Sequence, residues 1–551
     1  DHSNYLDLIF ETAKNGSLLK DIANKLVDQE IDLDTAFQFI EELVASQILV
    51  SELEPSVSGP EFLDQITEVL ENRKMDDQAL KILLQTKENL KILDHQLGNT
   101  PARYLSIADN LKEIGTEFDK KYLFQTDLNL QTKQNQLDQS LIEDLKKSLS
   151  LLNKISKTRE NPTLKEFTEA FYERFEQREV PLAKALDVEM GIGYKRGKTG
   201  DVNPLVDQIM LPGKANPKQE KEIKWDAIDD IFRKKLKKAF EEKAYEIELK
   251  DQDFGHLEEN WSDLPDTISC LIELVEEGGE QKMKFNGVGG SSAANLLGRF
   301  CHGSKELLEY TNEIIQTEKI LRKEQIIAEI VHLPESRVGN ILMRPDFRDF
   351  EIPYLAKSIK PTDNQLPIDD LMISVKYGKR VILRSKKHNK EVVPRLSNAH
   401  SYSNNSLPIY HFLGDLQSQG TRGGLWLSVS PFESDLEFIP RMSYGKVILK
   451  PATWNLKKNR INSLISAKNN RSDLQKVISE LREELMLPKY VLLIDGDNEL
   501  PINLENTSSV SMLLDLIGKR HEFQLTEFLF SENGIVKSAD DYFTNQVIIS
   551  L

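Results

Sequence analysis

Apolar residues recur at spacings of three and four through the first 45 positions, which predicts three short helices over residues 5–14, 17–29 and 33–46. Gly16 and Ser17 separate the first two, and Asp32 or Asp34 can cap the third. The run QILVSEL that follows reads as a strand, so residues 1–58 carry a winged-helix pattern. Residues 59–116 and 136–177 are charged, with Leu at heptad-like intervals (Leu80, Leu83, Leu84, Leu90, Leu93), and predict helical hairpins. Between them YLFQTDLNLQ (122–131) alternates like a strand. A Gly- and Lys-rich linker follows residues 180–194, and residues 214–242 read as a polar helix. From Asp266 on, strand-length apolar runs recur: TISCLIEL, KMKFNGV, LMISVKY, KRVILRS, GLWLSV, KVILKPA, YVLLID and VIISL, with a helix expected over 304–330. In PRMSYGKVILKPATW (440–454), Pro451 ends the strand because it has no N–H to donate. The pattern predicts a multidomain α+β chain: a winged-helix module at 1–58, helical segments with one strand at 59–200, and a body at 201–551 with mixed or antiparallel sheets.

A length of 551 residues exceeds what one core of roughly 250–300 residues holds. Cys270 and Cys301 form no CxxC and have no second pair, so reduced thiols in a cytoplasmic protein and no metal site are expected. No apolar run reaches the ~18 residues of a membrane helix. The net charge of -18 opposes a nucleic-acid partner on average, and residues 1–50 hold three basic and ten acidic side chains, a composition unsuited to DNA. Two stretches depart from that average. Residues 376–390 hold seven Lys or Arg and no acid, and residues 441–490 hold eleven basic and four acidic residues. Either a phosphate-tracking surface or ordinary charged loops would produce such asymmetry.

Several motifs are excluded by spacing. GIGYKRGKTGD (191–201) lacks the first glycine of a phosphate-binding loop, because Ile192 stands at that place. DGDNE (495–499) lacks the glycine and the terminal acid of a calcium loop, where Leu500 and Asn506 stand instead. GVGGSSAAN (287–295) fits an anion cradle and close backbone packing equally well. His332, His388, His400 and His411 have no metal-ligand spacing and are expected to be structural or surface residues.

SAANLLGRF (292–300), SRVGNILMRPDF (336–347), RLSNAHSYSNNSLPIYHFL (395–413), PRMSYGKVILKPATW and VLLIDGDNELPINLEN (491–506) occur in one order. In that order they resemble the large N-terminal glutamylation region of class I lantibiotic dehydratases. The resemblance implies transfer of glutamate from glutamyl-tRNA, a co-substrate, to Ser or Thr of a ribosomal precursor peptide, followed by elimination to dehydroalanine or dehydrobutyrine. No other cofactor is implied. It also implies that the winged helix takes the peptide's leader as an added strand, with Ile48, Leu49 and Val50 as the edge that pairs. The family's acidic residue before the GxGY turn falls on Asp187 or Glu189, with Asp187 favoured, and the SRxxN arginine on Arg337, with Arg344 as competitor. Arg299 and Arg441 match family patterns as structural or RNA-contacting residues, and the tRNA surface would comprise Lys376, Lys379, Arg380, Arg384, Arg441, Lys446 and Lys450. Family enzymes also draw arginines and a threonine from before the winged helix and eliminate glutamate in a separate C-terminal domain, so this chain is expected to be an internal piece. Homodimers are common among the proteins it resembles. The alternative readings are a non-catalytic peptide-binding scaffold, one half of a split dehydratase, and a winged-helix DNA regulator.

Overall fold

In the computed structural model the described residues are 3–28, 31–73, 78–129, 132–158, 160–194, 225–403, 406–429, 431, 433–530, 534–539 and 541–551. The expected loop after Tyr194 and the first part of the helix expected at 214–242 lie outside them. Helices Asn4–Ala13, Leu19–Leu26 and Leu33–Ala45 form as the periodicity predicts and close on their own small core of Ile9, Ile22, Leu26 and Ile40. Asp32 is the cap of the third, accepting from Thr35 N at 2.8 Å. Two expected strands are absent. Residues 48–50 turn back on the third helix, Ile48 N and Leu49 N both donating to Leu43 O (2.9 and 3.1 Å). At 122–129 a short 3-10 turn, Lys120–Tyr122, leads into irregular chain, so alternation there did not find a partner strand.

Among the described residues, three larger sheets and a two-stranded hairpin, Val536–Ser538 with Asp541–Phe543, make up the body. The first runs Val180–Pro181, Leu371–Lys376, Arg380–Ser385, Lys390–Arg395, Ile326–Val331, Phe350–Pro353 in spatial order, and its last three strands are mutually parallel. Parallel strands covered on both faces are apolar throughout, and every residue of Ile326–Val331 is buried. The expectation of one helix over 304–330 is corrected here: the helix is Lys305–Leu321, and the chain re-enters as that strand. The second sheet orders Glu246–Glu248, Arg441–Tyr444, Val447–Lys450, Glu280–Gly289, Ser269–Glu277 and Val547–Ser550, with Gly424–Leu425 also pairing with Glu280–Gly289. The third orders Phe438–Ile439, Thr453–Lys457, Glu522–Glu527, Tyr490–Asp495 and Asn498–Asn503.

Pro451 and Ala452 hand the chain from the second sheet to the third. Trp454, fully buried beyond that corner, donates its indole N–H to Leu485 O at 2.8 Å. Glu527 ties the corner: it accepts from Ala452 N, from Arg441 Nε and Nη2 (2.8, 2.8 and 2.7 Å) and from the Tyr245 hydroxyl (2.8 Å). Helix Gln139–Ile155 packs into the core of the second sheet, and helix Pro162–Phe175 into that of the first. Residues 59–200 thus contribute to two cores of the body. Among the described residues no helix is long and apolar enough to cross a membrane.

Candidate functional site

Beneath the parallel strands lies a buried charge network. Glu329 accepts from Arg344 Nε (2.7 Å), Arg348 Nε (3.2 Å) and the N–H and hydroxyl of Ser397 (2.7 and 2.8 Å). Arg348 also reaches Glu318 at 2.8 Å, and Thr267 donates to the other oxygen of that carboxylate at 2.6 Å. Burial opposes ionisation of Glu318, but the Arg348 and Arg395 guanidiniums hold its carboxyl below the usual range. Arg395, on the next strand, is pushed down to about 10 by burial. Arg344 is fully buried, its remaining N–H groups on Leu342 O, Ile330 O and Val57 O (2.6, 2.8 and 3.4 Å). Arg344, the competitor of Arg337 for the SRxxN role, has every arm engaged and no exposed surface, and it anchors residues 56–59 and the strand ends.

Polar side chains gather beyond the carboxyl ends of these strands, the place where open parallel sheets collect functional groups. His332 follows the central strand, and its Nδ1 donates to Tyr354 O at 2.8 Å, since a carbonyl only accepts. That fixes Nε2 as a bare acceptor, buried and unpartnered, and burial pushes the imidazole down to about 4. Asn398, after the neighbouring strand, is buried with its Oδ1 on His400 N (3.0 Å) and its Nδ2 unpartnered. His400 Nδ1 meets the hydroxyl of buried Tyr410 at 3.1 Å, and the Tyr410 ring lies 4.7 Å from that of His332. At the solvent rim, exposed Arg337 pairs with Glu335 at 2.6 Å in the turn Ser336–Val338. Glu335 in turn acts on His400, drawing its pKa up against burial, which prevails and leaves it lowered. This end of the sheet therefore offers neutral imidazoles beside one exposed guanidinium, a set suited to proton transfer and anion stabilisation. No metal-binding cluster occurs among the described residues.

Asp187 lies elsewhere. It ends helix Leu182–Leu186 and accepts from Glu189 N and Met190 N (2.8 and 2.6 Å), closing the turn that leads to Gly191. Only glycine fits at 191, because a Cβ would stand 2.0 Å from Lys184 O. Gly193 takes φ +72° and turns Tyr194 inward, where its hydroxyl donates to Asp415 at 2.5 Å beside His411. The helix that Asp187 ends packs on strand Leu371–Lys376. That strand is three places from the one preceding His332, about 14 Å at ordinary inter-strand spacing. Asp187 and Arg337 share no hydrogen bond or ion pair among the described residues.

The tRNA candidates separate by burial and pairing. Of the two roles expected for Arg441, structural or RNA-contacting, its burial fits the first: it is paired with Glu527 and Glu277 and stacked over Tyr245. Arg380, Arg384 and Lys450 are neutralised by Glu391, Glu179 and Glu433. Lys376 and Lys379 stand exposed at one hairpin of the first sheet, Lys446 at a hairpin of the second. Arg299 pairs with Asp127 at 3.2 Å. As for Ile48, Leu49 and Val50, the turn already uses the N–H groups of the first two, so an added strand finds no edge there; Ile48 and Val50 are exposed. An open apolar groove lies instead between the first and third helices, lined by Tyr5, Leu26, Ile31, Ala36 and Phe39.

Sequence reasoning set His332, His400 and His411 aside because it sought metal spacing. The usable signal was position: His332 directly follows an apolar run, and His400 sits in a polar loop before an apolar helix.

A family model described as "Lantibiotic dehydratase, N terminus" matches residues 1–513. The chain is 23% identical over 563 residues to the epidermin biosynthesis protein EpiB of Staphylococcus epidermidis, covering 97% of this chain and 51% of EpiB. It is 24% identical over 263 residues to the nisin biosynthesis protein NisB of Lactococcus lactis subsp. lactis, covering 45% of this chain and 24% of NisB. Among solved structures it shares its fold with the tRNA dependent lantibiotic dehydratase MibB from Microbispora sp. 107891, with a TM-score of 0.74 at 17% identity over 95% of this chain and 51% of that one. A second likeness is to the glutamylation domain TbtB from thiomuracin biosynthesis, with a TM-score of 0.54 at 12% identity over 100% of this chain and 66% of that one. The chain thus spans about half the length of EpiB and MibB. With the family model covering most of its length, the chain belongs to the lantibiotic dehydratase family and corresponds to that family's N-terminal region.

Proposed function

We infer that the chain performs glutamyl transfer from glutamyl-tRNA to Ser or Thr hydroxyls of a leader-bearing precursor peptide. The observation that carries this reading is the convergence of two family-like segments, 336–347 and 395–413, at one end of the first sheet, where the pair of exposed Arg337 with Glu335 lies beside the His400–Tyr410 contact. Hydroxide, whose conjugate acid has a pKa of ~15.7, leaves poorly; a carboxylate near ~4.3 leaves readily, so esterification with glutamate prepares the later elimination. Arg337 supplies positive charge for the oxyanion of the acyl transfer, and Asp187, three strands away, acts through the GxGY turn. Lys376, Lys379 and Lys446 are the exposed cations of the tRNA surface. The leader takes the apolar groove of the three-helix module, whose acidic surroundings disfavour DNA. A cytoplasmic setting fits two buried, unpaired thiols, and a homodimer is part of the same reading.

Mass spectrometry of the cognate precursor, incubated with glutamyl-tRNA and the full-length gene product, tests it. Glutamyl adducts that need tRNA and are lost with Arg337→Ala or Asp187→Asn are expected. An unmodified precursor that still binds, with binding lost in Phe39→Asp, would leave the peptide-binding scaffold, which the apolar groove favours as second reading.

A further inference from the structure

Acyl transfer to a hydroxyl needs a group that removes the hydroxyl proton, and the arginines cannot do so because guanidinium does not deprotonate in proteins. Asp187 is occupied with the backbone N–H groups of its own turn, at the end of a helix that packs three strands away from the one preceding His332. Resting on the glutamyl-transfer reading, we propose that His400, held by the phenol of Tyr410, is the proton-transfer residue of that step.

The geometry supports it in three ways. His400 is half-buried and within electrostatic reach of Glu335, the partner of exposed Arg337, whereas His332 and Tyr410 are buried too deeply to touch a substrate. Its Nδ1 is engaged by the Tyr410 hydroxyl at 3.1 Å, and its backbone N–H by Asn398 at 3.0 Å, so ring and main chain are both fixed. Nε2 makes no hydrogen bond to another described residue. In the tautomer in which Nδ1–H donates to the Tyr410 oxygen, Nε2 presents its lone pair outward, the arrangement of a base oriented by a second group, and that is the tautomer that proton transfer to Nε2 requires. The titratable and charged groups around it are Glu335, with Arg337 on its far side, His332 and Tyr410. Burial outweighs Glu335 and keeps the imidazole neutral at ordinary pH.

In the step, the Ser or Thr oxygen bonds to the ester carbonyl carbon while its proton passes to Nε2, and the carbonyl electron pair moves onto oxygen. That pair then returns, the bond from carbon to the ribose oxygen breaks, and the imidazolium gives the same proton to the departing oxygen. Glutamylated peptide and deacylated tRNA leave, and His400 ends as it began.

The experiment measures the rate of glutamyl-adduct formation by the full-length gene product across pH, for wild type, His400→Gln, His400→Gly and Tyr410→Phe. Expected are a roughly 10²-fold or greater loss in His400→Gln with leader binding unchanged, partial recovery of His400→Gly by added imidazole, and a displaced acid limb in Tyr410→Phe. Wild type should lose rate as pH falls through the imidazole range. A His400→Gln rate within about threefold of wild type, below the smallest effect typical of a general base, overturns the assignment. If His400→Gln does not fold, an unchanged pH profile in Tyr410→Phe overturns it. A wild-type protein that forms no adduct overturns the glutamyl-transfer reading, and this assignment with it.

Discussion

Arg337 and Arg344 carry the same side chain within one short segment, and their surroundings give them opposite roles. Arg344→Ala leaves Glu329 buried with a partner missing, so a loss of about 3–5 kcal/mol is expected in denaturant unfolding. Arg337→Ala removes an exposed pair worth about 0–1 kcal/mol, so its unfolding midpoint should hold while adduct formation falls. Gly191→Ala should cost several kcal/mol, on the order of the largest single-residue effects, because its Cβ would collide with the carbonyls of Lys184 and Ala185. His332 makes a pH prediction. Its folded pKa, near 4, lies below the unfolded value of ~6.5, so between the two the unfolded chain binds more protons. Stability is unaffected above pH ~6.5, falls as pH drops through that window, and has lost about 3 kcal/mol by its lower end. The slope should be absent from His332→Gln in unfolding curves recorded across pH. None of this was legible in residue type: the motif order located Arg337 and Arg344 together, and only burial separates them.

Elements followed the periodicity where one face meets water. The three N-terminal helices and the Asp32 cap stand where periodicity and cap chemistry place them. The pattern failed where both faces are covered. IIAEIV contains good helix formers, and nothing local says that Glu329 will meet two arginines inside a parallel sheet. Short strands such as Phe350–Pro353 and Arg441–Tyr444 were missed because pairing across the chain, not their own sequence, makes them. The Glu527 tie belongs to this scale too. Glu527→Gln should leave Arg441 with one fewer charge partner, and hydrogen exchange should rise at Ala452–Trp454 and in Glu522–Glu527 before it rises in the first sheet. Equal exchange in both sheets would mean that the tie does not govern that corner.

Over the whole molecule, the two basic runs proved to be on different sheets and partly neutralised by acids outside the runs, which a count along the chain cannot see. If the remaining exposed lysines track phosphate, Lys376→Ala with Lys379→Ala should lower the slope of log affinity for tRNA against log salt by about two, measured by filter binding. The family match ends at residue 513, yet Glu522–Glu527 is the middle strand of the third sheet and Val547–Ser550 completes the second by pairing with Ser269–Glu277. That last pairing joins segments made about 275 residues apart, so at ribosomal rates of roughly 5–20 residues per second the edge of Ser269–Glu277 waits tens of seconds for its cover. During synthesis this nascent edge, with the apolar Leu271, Ile272 and Leu274 along it, is the place where a chaperone would have most to do.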